Sequence, residues 1–93
     1  MNKKYIVQAR MFKAMSDENR LRILEMLKEK PHNASELLSK MDFGQSTLSH
    51  HMKILMNAEI VQGRKQGKWI IYALRPDAYI DMIDWMKQFV QSL

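Results

Sequence analysis

The segment Gln45-Ser-Thr-Leu-Ser-His-His-Met-Lys-Ile-Leu55, followed shortly by Arg64-Lys-Gln-Gly-Lys-Trp-Ile-Ile-Tyr72, constrains this chain more than any other. The first piece has helical periodicity with short polar side chains on one face. The second gathers β-branched and aromatic residues around a turn, as a hairpin requires. A helix of the first kind can reach base edges in a DNA major groove, and a cationic hairpin beside it can grip phosphates. The pair predicts a DNA-binding regulator.

The chain has 93 residues, enough for one domain spanning 1–93 with a modest core. Hydrophobic content of 46% and charged content of 27% are ordinary for a folded globular chain and argue against disorder. A net charge of +5 favours a polyanionic partner. Cysteine is absent, which removes disulfides, thiolate metal sites and cysteine nucleophiles together. No apolar run approaches the roughly 18 residues of a membrane span, and Gln8, Arg10 and Lys13 interrupt any apolar core of a signal peptide after Met1-Asn-Lys-Lys. The expected location is the cytoplasm.

Helical periodicity runs from Lys4 to Met15, with Tyr5, Met11, Phe12 and Met15 apolar. A second helix is expected after Ser16 or Asp17, either of which can cap it, with Leu21, Ile23, Leu24 and Leu27 as its buried stripe and Pro31 as its end. Asn33 caps a short third helix with Glu36 reaching back, a variant of the capping box, and Leu37, Leu38 and Met41 face inward. Asp42-Phe43-Gly44 supplies a tight reversal, and a fourth helix starts at Gln45. Two strands, Val61 to Lys65 and Lys68 to Leu74, flank the turn pair Gln66-Gly67, and Arg75-Pro76-Asp77 opens a last helix. The expected fold is mostly α with a small β-hairpin: a winged helix-turn-helix of about five helices plus a two-stranded wing.

On a helical wheel of the fourth helix, Leu48, Met52 and Leu55 fall within about 60° of one another, and Ser46, Ser49, His50, Lys53 and Asn57 cluster opposite. Gln45 can pair with adenine through two hydrogen bonds, and Ser46, Thr47 and Ser49 can address bases or phosphates. His50 and His51 point about 100° apart: His50 faces outward, and His51, flanking the apolar stripe, is expected to be a hydrogen-bonded structural residue. Arg64, Lys65 and Lys68 form the wing's phosphate contacts.

The last helix carries Ala78, Tyr79, Met82, Ile83, Trp85, Met86, Phe89, Val90 and Leu93 over a face roughly 160° wide, where about 100° suffices to pack one helix on its own domain. The surplus predicts a homodimer built from the terminal helices, with Tyr5, Phe12, Met82, Trp85, Met86 and Phe89 at its interface. Asp77, Asp81 and Asp84 share this helix, but no His joins them there, so dipole complement and solvation explain them and no metal or other cofactor is expected. There is no phosphate-cradling glycine loop, nucleophile elbow or His-Glu-x-x-His pair, and Ser49 and His50 diverge as sequence neighbours, so no catalytic residues and no enzyme activity are expected.

Phe12-Lys-Ala-Met-Ser-Asp-Glu-Asn-Arg-Leu-Arg-Ile-Leu24, the Gln45 to Leu55 helix and Gly63-Arg-Lys-Gln-Gly-Lys-Trp-Ile-Ile-Tyr72 closely resemble the ArsR/SmtB family of bacterial winged helix-turn-helix repressors. The resemblance implies a homodimer that binds an imperfect inverted repeat and blocks transcription until an inducer releases it. It maps Gln45, Ser46, Ser49 and His50 onto DNA-contacting positions and Arg64, Lys65 and Lys68 onto the wing. Where arsenic- and cadmium-sensing members carry Cys-x-Cys, this chain has Asn33-Ala34-Ser35, and its last helix lacks the histidines of the zinc and nickel sensors. Glu59 stands where the family often has glycine. The implied function is a repressor that does not answer to metals through the usual sites. The alternatives are a protein-interaction module on a winged scaffold and a metal sensor using an atypical carboxylate site around Asp77, Asp81 and Asp84.

Overall fold

Capping side chains decide where most of the helices begin. In the computed structural model, which describes residues 2–91, the Asn2 side chain accepts from the Lys4 amide and opens α1 (Lys3–Ala14). Asp17 opens α2 (Glu18–Glu29), its Oδ1 accepting from the amides of Asn19 at 2.8 Å and Arg20 at 3.1 Å. The Arg20 amide is the largest of the influences that hold the Asp17 carboxyl below the usual carboxylate range. Ser16, the other expected cap, instead donates its hydroxyl to the Lys13 carbonyl.

After Pro31 the chain stays extended, and His32–Asn33 forms β1. This strand corrects the expected two-stranded wing. It is too short to show any alternation in sequence, yet its extended backbone pairs with the free edge of a later strand. Asn33 then caps α3 (Ala34–Leu38) in a full capping box, its Oδ1 accepting from the Glu36 amide while the Glu36 carboxylate accepts from the Asn33 amide. α4 (Gln45–Asn57) follows Gly44 and has no side-chain cap.

The end of α4 answers the question that Glu59 raises. Its amide donates to Met56 O at 2.9 Å, and the next amide, of Ile60, donates to Leu55 O at 3.4 Å. These are the two bonds of a Schellman motif, which places its C′ residue in the left-handed region. Glu59 sits there at φ 60°, the only non-glycine residue with positive φ among those described. Ile60 and Leu55, both fully buried, make the apolar pair that accompanies the motif.

β2 (Val61–Gln66) and β3 (Trp69–Leu74) form the hairpin, and the sheet order is β1-β3-β2, all antiparallel. The turn is one residue later than the sequence suggests. Gln66 pairs with Trp69, and Gly67-Lys68 makes the reversal with Gly67 at φ 62°. A two-residue turn with positive φ at its first position calls for glycine there, which shifts Lys68 from strand to turn. α5 (Pro76–Gln91) completes the chain, with Pro76 in its first turn.

The core joins Ile23, Leu24 and Leu27 of α2, Leu37 of α3, Leu48, Met52 and Leu55 of α4, and Ile60, Val61 and Tyr72 of the sheet, closed by Met11, Ala14 and Met82. Leu21 does not belong: it is 47% exposed. At about 100° per residue it lies roughly 110° from the centre of the Ile23, Leu24 and Leu27 stripe, whereas Arg20 falls inside it. Met82, expected at an intermolecular interface, is 6% exposed and packs within the core of its own chain. Leu93, counted in the apolar face of the last helix, lies outside the described residues.

Candidate nucleic-acid interface

α4 divides along its length as its apolar period requires. Leu48, Met52 and Leu55 are between 0% and 2% exposed, while Gln45, Ser46, Thr47, Ser49, His50, Lys53 and Asn57 all lie on the exposed surface. The first amides of the helix lack a side-chain acceptor, so its N-terminus offers N–H groups and a positive dipole end to an anion. The exposed side chains are mostly short, with Lys53 the one long cation among them. Such a face can approach base edges closely without ordering many rotatable bonds.

His51 turns the other way. It is 7% exposed, its ring lies 5.3 Å from that of Phe43, and its Nδ1 is 3.1 Å from Arg20 Nη1. A guanidinium has only donors, so Arg20 donates and Nδ1 accepts, which fixes His51 as the neutral tautomer protonated on Nε2. Burial is the main influence pushing the imidazole below its ordinary value. The charges of Arg20 and His50 act in the same direction, and Asp17 opposes them. The expected structural role for His51 therefore has a specific partner.

Apolar periodicity alone does not single out that partner, Arg20. Its Nε also donates to the Ala14 carbonyl at 2.7 Å. The available signal was a polar residue three and four positions before Ile23 and Leu24, on the buried face of α2.

The wing is anchored to α4 where Gly63 passes Met56. A Cβ on Gly63 would lie 3.2 Å from Met56 Sδ and 3.3 Å from the side chains of Ile70 and Tyr72. Arg64 and Lys65 are exposed, but strand alternation puts them on opposite faces of the ribbon, with Arg64 opposite Ile71 and Lys65 opposite Ile70. Lys68, in the turn, holds its ammonium 5.5 Å from the centre of the Trp69 ring. The three cations expected to act together thus surround the wing tip rather than line one side.

Among the described residues no group of three or more acidic or histidine side chains is placed to hold a metal ion. Asp77 and Asp81 instead line a cleft of about 560 Å³ between α1 and α5, where Lys3, Lys4 and Arg75 are also found. No described helix is long and apolar enough to cross a membrane.

Comparison with known proteins agrees with this geometry. Residues 17–62, from the cap of α2 through all of α4 into β2, match the family model described as bacterial regulatory protein, arsR family. The chain is 34% identical over 81 residues to the transcriptional repressor SdpR of Bacillus subtilis, covering 87% of this chain and 90% of that one. It is 42% identical over 72 residues to the arsenical resistance operon repressor of Staphylococcus xylosus, covering 77% and 68%. Its structure resembles that of HlyU from Vibrio cholerae with a TM-score of 0.77 at 31% identity, covering 96% of this chain and 97% of that one. With a shared recognition segment, a relative matched along nearly its whole length and the same three-dimensional arrangement, this chain belongs to the ArsR family of bacterial regulatory proteins.

Proposed function

We propose that the protein is a homodimeric transcriptional repressor that binds an inverted-repeat operator in the cytoplasm. The observation that carries the reading is the division of α4, with an apolar side sealed into the core and a polar side of short hydrogen-bonding groups left open beside a basic wing. Gln45, Ser46, Thr47, Ser49 and His50 read bases from the major groove, Lys53 reaches phosphate, and Arg64, Lys65 and Lys68 hold the backbone at the wing.

Pairing is supported by apolar surface that a single copy leaves uncovered. On α1, Tyr5, Ile6 and Val7 are 45% to 58% exposed, and on α5 the same holds for Ile80, Ile83, Met86, Phe89 and Val90, at 49% to 68%. The radius of gyration, 14.5 Å, exceeds the value of about 12 Å expected for a globular chain of this length. The Phe12 and Trp85 rings meet in a tilted contact 5.8 Å apart across α1 and α5, Phe89 packs edge-on against Trp85 at 4.6 Å, and Tyr5 and Met86 on the same two helices are exposed. A two-fold pair would set two copies of α4 about 34 Å apart, one turn of DNA.

Two relatives named as repressors support repression as the output. HlyU is named an activator, so the sign is a property to be measured. Selection of bound fragments from the source genome with purified protein, followed by a gel shift and promoter fusion, tests the reading. One enriched palindromic site upstream of a repressed gene is the expected result; no enrichment over random fragments at low salt would end the proposal.

A further inference from the structure

Arg20 ties the end of α1 to the middle of α4 by directional bonds, in addition to the apolar core that the two helices share. Its backbone N–H is held by the Asp17 cap at 3.1 Å. Its guanidinium donates through Nε to the carbonyl of Ala14, the last residue of α1, at 2.7 Å and through Nη1 to Nδ1 of His51, in the middle of α4, at 3.1 Å. Ala14 is 1% exposed and His51 7%, so water does not compete freely at either end. We propose that Arg20 is a positioning residue for sequence reading: gripping the end of α1 and neutral His51 at once, it fixes the rotation of α4 and hence which side chains meet base edges. This rests on the DNA-binding reading above.

The apolar stripe of Leu48, Met52 and Leu55 holds α4 against the core, but apolar packing has no preferred direction and tolerates small rotations. A hydrogen bond is directional and weakens steeply off axis. His51 sits on the flank of the stripe, about 60° from its centre, where a bond resists rotation best. A rotation of about 10° moves a side-chain tip some 6 Å from the helix axis by about 1 Å, enough to lose a base-edge hydrogen bond. Long lysine and arginine side chains absorb the same shift and keep their phosphates. Loss of the Arg20 bond therefore lowers preference for the operator while general DNA affinity stays.

Protonation of His51 removes the acceptor and places two cations together, so the preference is also pH-dependent. The charged and titratable groups facing His51 are Arg20 and Asp17 from α2 and the cap preceding it, and His50 on its own helix; Phe43, from the preceding turn, contributes only an aromatic ring.

The test measures binding of the full chain to the fragment recovered from the genomic selection and to a duplex of equal length with that site scrambled. Arg20→Lys keeps the charge but cannot span both partners. His51→Asn keeps an acceptor at the same distance along the side chain and cannot titrate. Arg20→Lys is expected to lose on the order of tenfold on the selected duplex, the size of one lost base contact, and nothing on the scrambled one. In the unaltered protein the ratio of the two affinities should fall more steeply on acidification than in His51→Asn, because only the unaltered protein loses the Nδ1 acceptor. An Arg20→Lys variant that folds and keeps the full ratio, or identical pH profiles for His51→Asn and the unaltered protein, would overturn the proposal. An unaltered protein with no preference between the duplexes would instead overturn the DNA-binding reading beneath it.

Discussion

The Tyr79 hydroxyl of α5 donates to the Ile60 carbonyl at 3.1 Å, and the same carbonyl accepts the Arg75 amide at 3.1 Å. Ile60 also closes the Schellman motif through its own amide, so the end of α4, the start of β2 and the first turns of α5 meet at one residue. Tyr79→Phe should cost about 1 kcal/mol, the net value of one hydrogen bond, because Arg75 still satisfies the carbonyl and no orphan is left. Urea unfolding would show it as a lower midpoint at unchanged slope. Burial pushes the Tyr79 phenol up to about 12 from 10.0, favouring the neutral form in the folded state. The associated stability is complete below pH 10.0 and drains away as pH rises toward about 12, a loss that Tyr79→Phe should not show.

Glu59 carries a side chain at φ 60°, a conformation that costs an ordinary residue about 1–2 kcal/mol. Its ion pair with Arg75 is 4.0 Å long and mostly exposed, and adds little. Glu59→Gly should therefore raise stability by about 1 kcal/mol once glycine's extra entropy in the unfolded chain is deducted. Glu59→Ala is the control, since it loses the ion pair and retains the strained Cβ. Thermal melts of the two variants should move apart, with only the glycine variant gaining.

Arg64 and Lys65 lie on opposite faces of the wing. If both reach phosphates, they reach different strands, and their contributions add. Replacing either by Ala should lower the slope of log affinity against log salt by about 0.9, and replacing both by about twice that. A double variant no worse than one single would mean that only one face of the ribbon touches DNA.

Met82 and Met86 stand one turn apart on α5 and differ in kind. Met82 is 6% exposed and Met86 49%. Met82→Ala should cost about 2–5 kcal/mol of stability while leaving any pairing of chains intact. Met86→Glu should leave helical circular dichroism unchanged and convert the proposed dimer to monomer in sedimentation equilibrium. A Met86→Glu protein sedimenting like the unaltered one would place the pairing surface elsewhere.

The boundaries of the helices, the outward face of α4 and the existence of the hairpin were legible in the sequence, because each follows from local rules: a cap three residues from its amide, a 3.6-residue apolar period, a glycine at a tight turn. Ser46, Ser49, His50 and Lys53 could be placed on the surface for the same reason. Three other features depended on residues far apart in the chain. β1 exists only because the edge of β3 is free when His32 and Asn33 arrive beside it. Met82 is core rather than surface because Met11 and Ala14 of α1 close the same core beside it. Arg20 acquires its role from His51, 31 positions away, and from the buried Ala14 carbonyl at the end of α1. Periodicity tells which side of a helix is apolar; which distant donor meets which distant acceptor is decided only when the chain has closed on itself.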